Sequence, residues 1–344
     1  MKVTDFGVTL KGEETKLYTL SNQNGMEIAV TDYGASLVQV FVPDKDGHPC
    51  DVVLGYDEAA GYEAGEGLFF GAVVGRNSNR IGGAAFELNG KKYELAKNNN
   101  GNNLHSGPDY FHLRMWELKE KAEDHLTFAI DSPDGDQGFP GAVHIEVTYT
   151  LTKDNSIKIS YHAVPDEDTV LNMTNHSYFN LDGHASGDVL EQEVWIDADR
   201  FTRGNEELIA TGEILPVEGT PMDFRTKKPL GRDINADYEA LKFGSGYDQN
   251  WCLNNNGKFA KVAEMSSKES GITMEVYTDL PGMQLYTANF VINEKGKDGI
   301  IYDRRSGCCF ETQVYPNAVH HENFPSAVCK KGETYETETV YKFV

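Results

Sequence analysis

Apolar and polar residues alternate along much of this chain with a period of two, the spacing of a half-buried β-strand rather than of a helix. The clearest run is VHIEVTYTL, in which Val143, Ile145, Val147, Tyr149 and Leu151 interleave with His144, Glu146, Thr148 and Thr150. The polar stretch KDNS follows, and SIKISYHAV repeats the alternation through Ile157, Ile159, Tyr161 and Ala163, so 143–164 predicts a β-hairpin. Further short strands are expected around 27–42, 86–95, 125–130, 271–277, 283–290, 308–315 and 333–343. Helical periodicity is confined to a brief stretch at 235–241. Many short strands separated by turn signals such as AKNNNGNNLHSG argue for an all-β sandwich with few short helices. Length alone would suggest roughly two domains, yet no repeat, heptad or Pro- or Ser-rich linker divides the 344 residues. A single sandwich of this length needs unusually large sheets.

One apolar-polar run carries unusual chemistry. In NMTNHSYFNLDG, counting by twos puts Asn172, Thr174, His176, Tyr178 and Asn180 on one face of a strand and Leu171, Met173, Phe179 and Leu181 mostly on the other. A solvent-facing strand more often shows Lys, Glu or Thr. A face of amides, an imidazole and a phenol instead suits a neutral ligand rich in hydroxyls. In CCFETQVYP, Glu311 and Gln313 share a face with Cys309 and Tyr315, while Phe310, Thr312 and Val314 take the other. A glutamate among Phe and Cys is expected to be desolvated, which disfavours its charged form and raises its pKa into the range of a useful base. An exposed glutamate on an edge strand is the plainer alternative. GRNSNRIGG, with Asn79 and Arg80, and NNLHSG, with His105, read on their own as Gly/Asn turns. Asp248 in GSGYDQNW and Gln284 in PGMQLYTAN read equally well as a turn aspartate and a surface strand residue.

Composition narrows the partners. With 31 basic against 54 acidic residues the formal charge is −23, which repels nucleic acid and anionic membranes and leaves a neutral small molecule unaffected. The N-terminal stretch lacks an apolar signal core and no long apolar run follows, so a soluble cytoplasmic protein without membrane association is expected. Five cysteines without CxxC spacing fit reduced thiols better than disulfides or zinc. His320 and His321 are adjacent and point to opposite sides of an extended chain, and HExxH, GxGxxG, P-loop and GxSxG motifs are missing. No metal and no cofactor is therefore expected. With no heptad to specify assembly, a monomer and a weak dimer both fit.

Together and in order, GRNSNRI, NNLHSG, NHSYFNLDG, ELIATGEILPVEGTPMDFR, GYDQNW, PGMQLYTANF and ETQVYPNAVHH resemble the aldose 1-epimerases, or galactose mutarotases, from about residue 75 to residue 321. The resemblance implies one galactose mutarotase-like β-supersandwich domain over 1–344, with a groove across one sheet. It implies isomerisation of free hexoses such as galactose and glucose: ring opening at the hemiacetal, rotation about C1–C2 and reclosure. In that scheme Glu311 is the base on the C1 hydroxyl and His176 the acid at the ring oxygen, each supporting the other's charged form. Sugar-binding positions fall on Asn79, Arg80, His105, Asp248 and Gln284, and Tyr178 and Trp251 fit equally a flat surface under the sugar ring and a place in the core. Where the family commonly has HGG this chain has His105-Ser106-Gly107, and Gln249, Tyr247 and Trp251 depart from its usual His and Phe, which bears on sugar preference. A hexose-6-phosphate epimerase or a non-catalytic carbohydrate-binding protein of the same fold is the alternative. Glycoside hydrolysis would need two facing carboxyl groups.

Overall fold

The alternation in Val143–Leu151 turns its five apolar residues inward and its four polar ones outward. The computed structural model, which describes the backbone of residues 1–344 and every side chain except that of Glu66, extends this pattern over two large antiparallel sheets. Strands Val143–Leu151 and Ser156–Pro165 form the expected hairpin at the heart of a nine-stranded sheet. Tyr335–Phe343 lies beside it, followed by Thr273–Thr278. A six-stranded sheet runs in the order Tyr178–Phe179, Cys308–Gln313, Gly282–Tyr286, Asp248–Cys252, Arg200–Gly204 and Ala210–Pro216. A five-stranded sheet holds the N-terminal residues. Among the described residues there are also five two-stranded sheets, short 3-10 turns and two α-helices of six residues each, Ala59–Ala64 and Glu239–Gly244. No helix among the described residues is long and apolar enough to cross a membrane.

The two large sheets meet face to face. Phe179 packs its ring 4.8 Å from that of Tyr341, whose hydroxyl donates to the Phe310 carbonyl at 2.8 Å. Thr312 and Thr339 join hydroxyls across the same interface. Inner residues of the six-stranded sheet are thereby committed to the core, which leaves its other face for the groove.

Several expected strands divide or shift. The 27–42 segment is a hairpin of Glu27–Thr31 and Leu37–Pro43, and 86–95 turns back at Asn89 and Gly90, both at positive φ. The 283–290 strand ends at Tyr286, ahead of Ala288 at φ 49°. The short helix begins at Glu239, four residues after the expected start. The 172–183 segment is two strands: Thr174–His176 pairs with Ala72–Val74, and Tyr178–Phe179 pairs with Cys308 and Cys309. Asn175 makes the break, because its Oδ1 accepts from both the Ser177 amide and hydroxyl while its Nδ2 donates to the Gly71 carbonyl.

A buried ion pair holds this junction from behind. Lys297, 2% exposed, donates to Asp51 Oδ2 at 2.5 Å and to the Val38 carbonyl at 3.0 Å. Asp51 Oδ1 accepts from the Val40 amide at 3.0 Å, and the residues just after Asp51 exchange backbone hydrogen bonds with Tyr178 and Asn180. Lys297→Met is expected to destabilise the fold by about 3–5 kcal/mol in urea titration, because Asp51 is left buried without its cation. A loss under about 1 kcal/mol would show that the pair is not structural.

Candidate active site

The register of two short pairings assembles the groove. Tyr178 lies opposite Cys309 and Phe179 opposite Cys308. Two residues further along the same face, this register brings His176 opposite Glu311, even though the chain leaves the sheet at Ser177. His176 Nε2 is 3.5 Å from Glu311 Oε1, and His176 Nδ1 is 3.6 Å from Cys309 Sγ. Next in the sheet, Gln284 lies opposite Glu311 and Tyr286 opposite Cys309, then Asn250 opposite Gln284 and Asp248 opposite Tyr286. One row thus carries Tyr178, Cys309, Tyr286 and Asp248, and the next carries His176, Glu311, Gln284 and Asn250. Side chains that are far apart in sequence share one face because every second residue points the same way.

Loops close the groove from above. Asn79 takes positive φ and its side-chain oxygen accepts from the Arg80 amide at 2.8 Å, while Arg80 Nε donates to Asn99 at 3.2 Å. The Asn79 amide donates to His105 Nδ1 at 3.1 Å. That nitrogen can only accept, so neutral His105 carries its proton on Nε2 and is a hydrogen-bond donor. Arg76, the other arginine of the motif, is fully buried and donates to Ser132 and to the carbonyls of Pro133 and Pro140, a structural role in holding the 132–140 loop.

Asn79, Arg80, His105, His176, Tyr178, Asp248 and Glu311 line one groove of about 1080 Å³, counted to its open mouth. Gln284 lines a smaller adjoining cleft together with Asn79 and Asp248, and donates to Asp248 Oδ1 at 2.6 Å. Trp251 is withdrawn from the groove: it is fully buried and its indole donates to the Met222 carbonyl at 3.0 Å. Of its two expected places, under the sugar or in the core, it takes the core. Gln249 is bound to the Ala240 carbonyl and Ser106 to the backbone of Asn77, so both shape loops. Asn172 and Asn180 likewise pin backbone at Val314 and Ser306. Sequence reasoning missed Phe69, whose ring centroid lies 4.7 Å from that of His105 and 5.6 Å from that of His176. It also missed Tyr286, although its spacing of two from Gln284 on one strand is a usable signal.

Burial dominates the electrostatics. It pushes Glu311 well above the ordinary carboxyl range, reinforced by the nearby charge of Asp248 and opposed by Arg80. Asp248 is raised by the same burial, against the pull of Arg80 and Gln284. His176 is lowered to about 4 and His105 well below the usual imidazole value, each chiefly through desolvation. The expectation that carboxylate and imidazolium stabilise each other meets an opposing effect here: loss of water raises the carboxyl and lowers the imidazole, which disfavours the charged form of both. Glu311 Oε2 is buried with no protein donor. His105, His176 and Glu311 bring three ligand-type atoms within 4.8 Å of one another. The set suits a metal poorly, because the Asn79 amide occupies His105 Nδ1 and so keeps a proton on Nε2.

The family model described as aldose 1-epimerase matches residues 16–342. Galactose mutarotase from Bos taurus is 40% identical over 319 residues, covering 92% of this chain and 91% of its own length. Aldose 1-epimerase from Haemophilus influenzae is 37% identical over 336 residues, 96% of each chain. A solved aldose epimerase homologue from C. elegans superposes with a TM-score of 0.89 at 30% identity, covering 96% of this chain and 99% of that one. Matched across almost all of its sequence and in its fold, this chain belongs to the aldose 1-epimerase family.

Proposed function

We propose that the groove interconverts the α and β anomers of a free hexose such as galactose or glucose, with Glu311 as base on the C1 hydroxyl and His176 as acid at the ring oxygen. The observation that carries this reading is the 3.5 Å approach of His176 Nε2 to Glu311 Oε1 at the floor of the groove. Both oxygens that exchange protons in ring opening are bonded to C1, so the two groups must sit close together. Glu311 removes the hydroxyl proton as His176 protonates the ring oxygen; the C1–O5 bond breaks and the aldehyde forms. Rotation about C1–C2 then presents the other carbonyl face, and both transfers run backwards on closure. Moving the protons together avoids a fully developed charge and is worth on the order of 10²–10⁴-fold for each group.

The pair needs one proton between them. Carboxylate with imidazolium and carboxyl with neutral imidazole hold the same number, so hydrogen bonds from a bound sugar to Glu311 can move that proton onto His176 without exchange with solvent. His105 Nε2–H, Arg80, Asn79 and Asp248 face the remaining hydroxyls, with Gln284 holding Asp248 in position. The groove lining counts Glu206, Glu207, Asp248 and Glu311 against Arg80 as its one guanidinium. That balance disfavours a sugar phosphate and supports a free aldose. A purely binding protein would gain nothing from a buried carboxyl oxygen left without a donor. One hydrophobic cluster draws on residues from Tyr18 to Phe343, which supports reading 1–344 as one domain. Five free thiols support a reducing, cytoplasmic setting.

Polarimetry of freshly dissolved α-D-galactose is expected to show faster mutarotation with the protein than with buffer. Glu311→Gln should remove nearly all of the acceleration, and His176→Asn should lower it by about 10²–10⁴-fold. Near-normal rates in either folded variant would reassign that role. The pH profile follows from the burial of the pair. A second proton enters only as pH falls through the value of about 4 for His176, so the acid-side decline of kcat/KM over background is expected to centre near pH 4. A decline centred near 6.5, where a solvated imidazole titrates, would contradict the shared-proton arrangement.

A further inference from the structure

Carboxyl groups outnumber cations in the groove lining: Glu206, Glu207, Asp248 and Glu311 stand against Arg80. Glu206 and Glu207 stand on the exposed rim, and Glu207 is engaged by Asn102 at 3.1 Å. Inside, Asp248 accepts from Gln284, whereas Glu311, 2% exposed, keeps Oε2 without any protein donor. His176 and His105 are neutral at ordinary pH, which leaves Arg80 as the cation of the lining. The ring oxygen of a pyranose only accepts, so it can take a proton from His176 but gives nothing to the Glu311 carboxyl 3.5 Å from that imidazole. A protonated ring nitrogen in the same place carries two N–H donors and a positive charge.

We propose that this groove binds polyhydroxylated cyclic amines, in which a protonated ring nitrogen replaces the ring oxygen of the hexose, more tightly than their neutral oxygen counterparts, the nitrogen donating to Glu311. The inference rests on the reading of Glu311 and His176 as the groups that face the hemiacetal. One N–H goes to the carboxylate of Glu311 and the other meets His176 Nε2, which accepts when the imidazole carries its proton on Nδ1. No bond of the ligand is made or broken, and any proton held by Glu311 beforehand leaves to solvent as the cation enters, so charge balances. A hydrogen bond between charged partners is roughly twice as strong as a neutral one and lies in a site shielded from water.

Titration calorimetry with two ligands that differ in one ring atom tests the idea, and neither ligand can be turned over because both lack a C1 hydroxyl. The probes are 1,5-dideoxy-1,5-imino-D-galactitol and 1,5-anhydro-D-galactitol, measured at pH 7. The amine is expected to bind about tenfold or more tightly. In Glu311→Gln the neutral ligand should still bind, showing an intact groove, while the preference for the amine disappears. Equal affinities in the native protein would overturn this inference and leave the mutarotase reading standing. A preference that survives in Glu311→Gln would overturn the assignment to Glu311. Failure of both ligands to bind would overturn the inference together with the placement of a pyranose in this groove.

Discussion

Two backbone pairings, Tyr178 with Cys309 and Phe179 with Cys308, set the geometry on which the groove depends. They place an imidazole from one strand against a carboxyl group from another, although 133 residues separate His176 from Cys309 at the same contact. A slip of one residue would turn Glu311 into the core and Phe310 into the groove. The register is protected on both sides. Phe179 and Phe310 are committed to the sheet interface, and the Lys297–Asp51 pair anchors the segment that hydrogen-bonds to Tyr178 and Asn180.

The electrostatic behaviour follows from that placement. Side by side in water at neutral pH, the carboxyl would be ionised and the imidazole, titrating near 6.5, partly protonated. Beneath the segments that carry Phe69, Arg80 and His105 they lose their water, and desolvation drives the carboxyl up and the imidazole down, against the charged form of each. A pair balanced in this way holds one proton that can sit on either partner. Ring opening and closure consist of passing one proton in and one proton out, which is the exchange that the proposed reaction asks of such a pair. His105 has a different role because the Asn79 amide fixes its tautomer; it donates and does not shuttle.

Much of this was legible in the chain, and the exceptions have physical causes. Long alternating strands such as 143–151 were read correctly because burial on one face leaves a period-two imprint. Alternation also grouped Cys309 with Glu311, and His176 with Tyr178, and the desolvation of Glu311 followed from its neighbours. What alternation does not encode is pairing between strands. Nothing local tells that the strand through His176 breaks at Ser177, since Asn175 achieves this with side-chain hydrogen bonds. Nor does local sequence separate an amide that binds ligand from one that pins backbone, as Asn172 and Asn180 do. Trp251 stays open in the sequence for a similar reason: an aromatic next to site residues reads alike whether it faces the groove or the core. Phe69 left no trace in any pattern because it acts from an irregular loop at positive φ. Assignment to the family rested on motifs in order, which carry the pairing information that single segments lack.

The account stands on one sugar meeting both groups at once. A crystal structure with galactose bound tests this most directly. The expected result places O1 of the sugar within about 2.6–3.2 Å of the Glu311 carboxyl and the ring oxygen of the same molecule within the same reach of His176 Nε2. A sugar that touches only one of the two, or that lies in the adjoining cleft beside Gln284 with His176 left untouched, would contradict it.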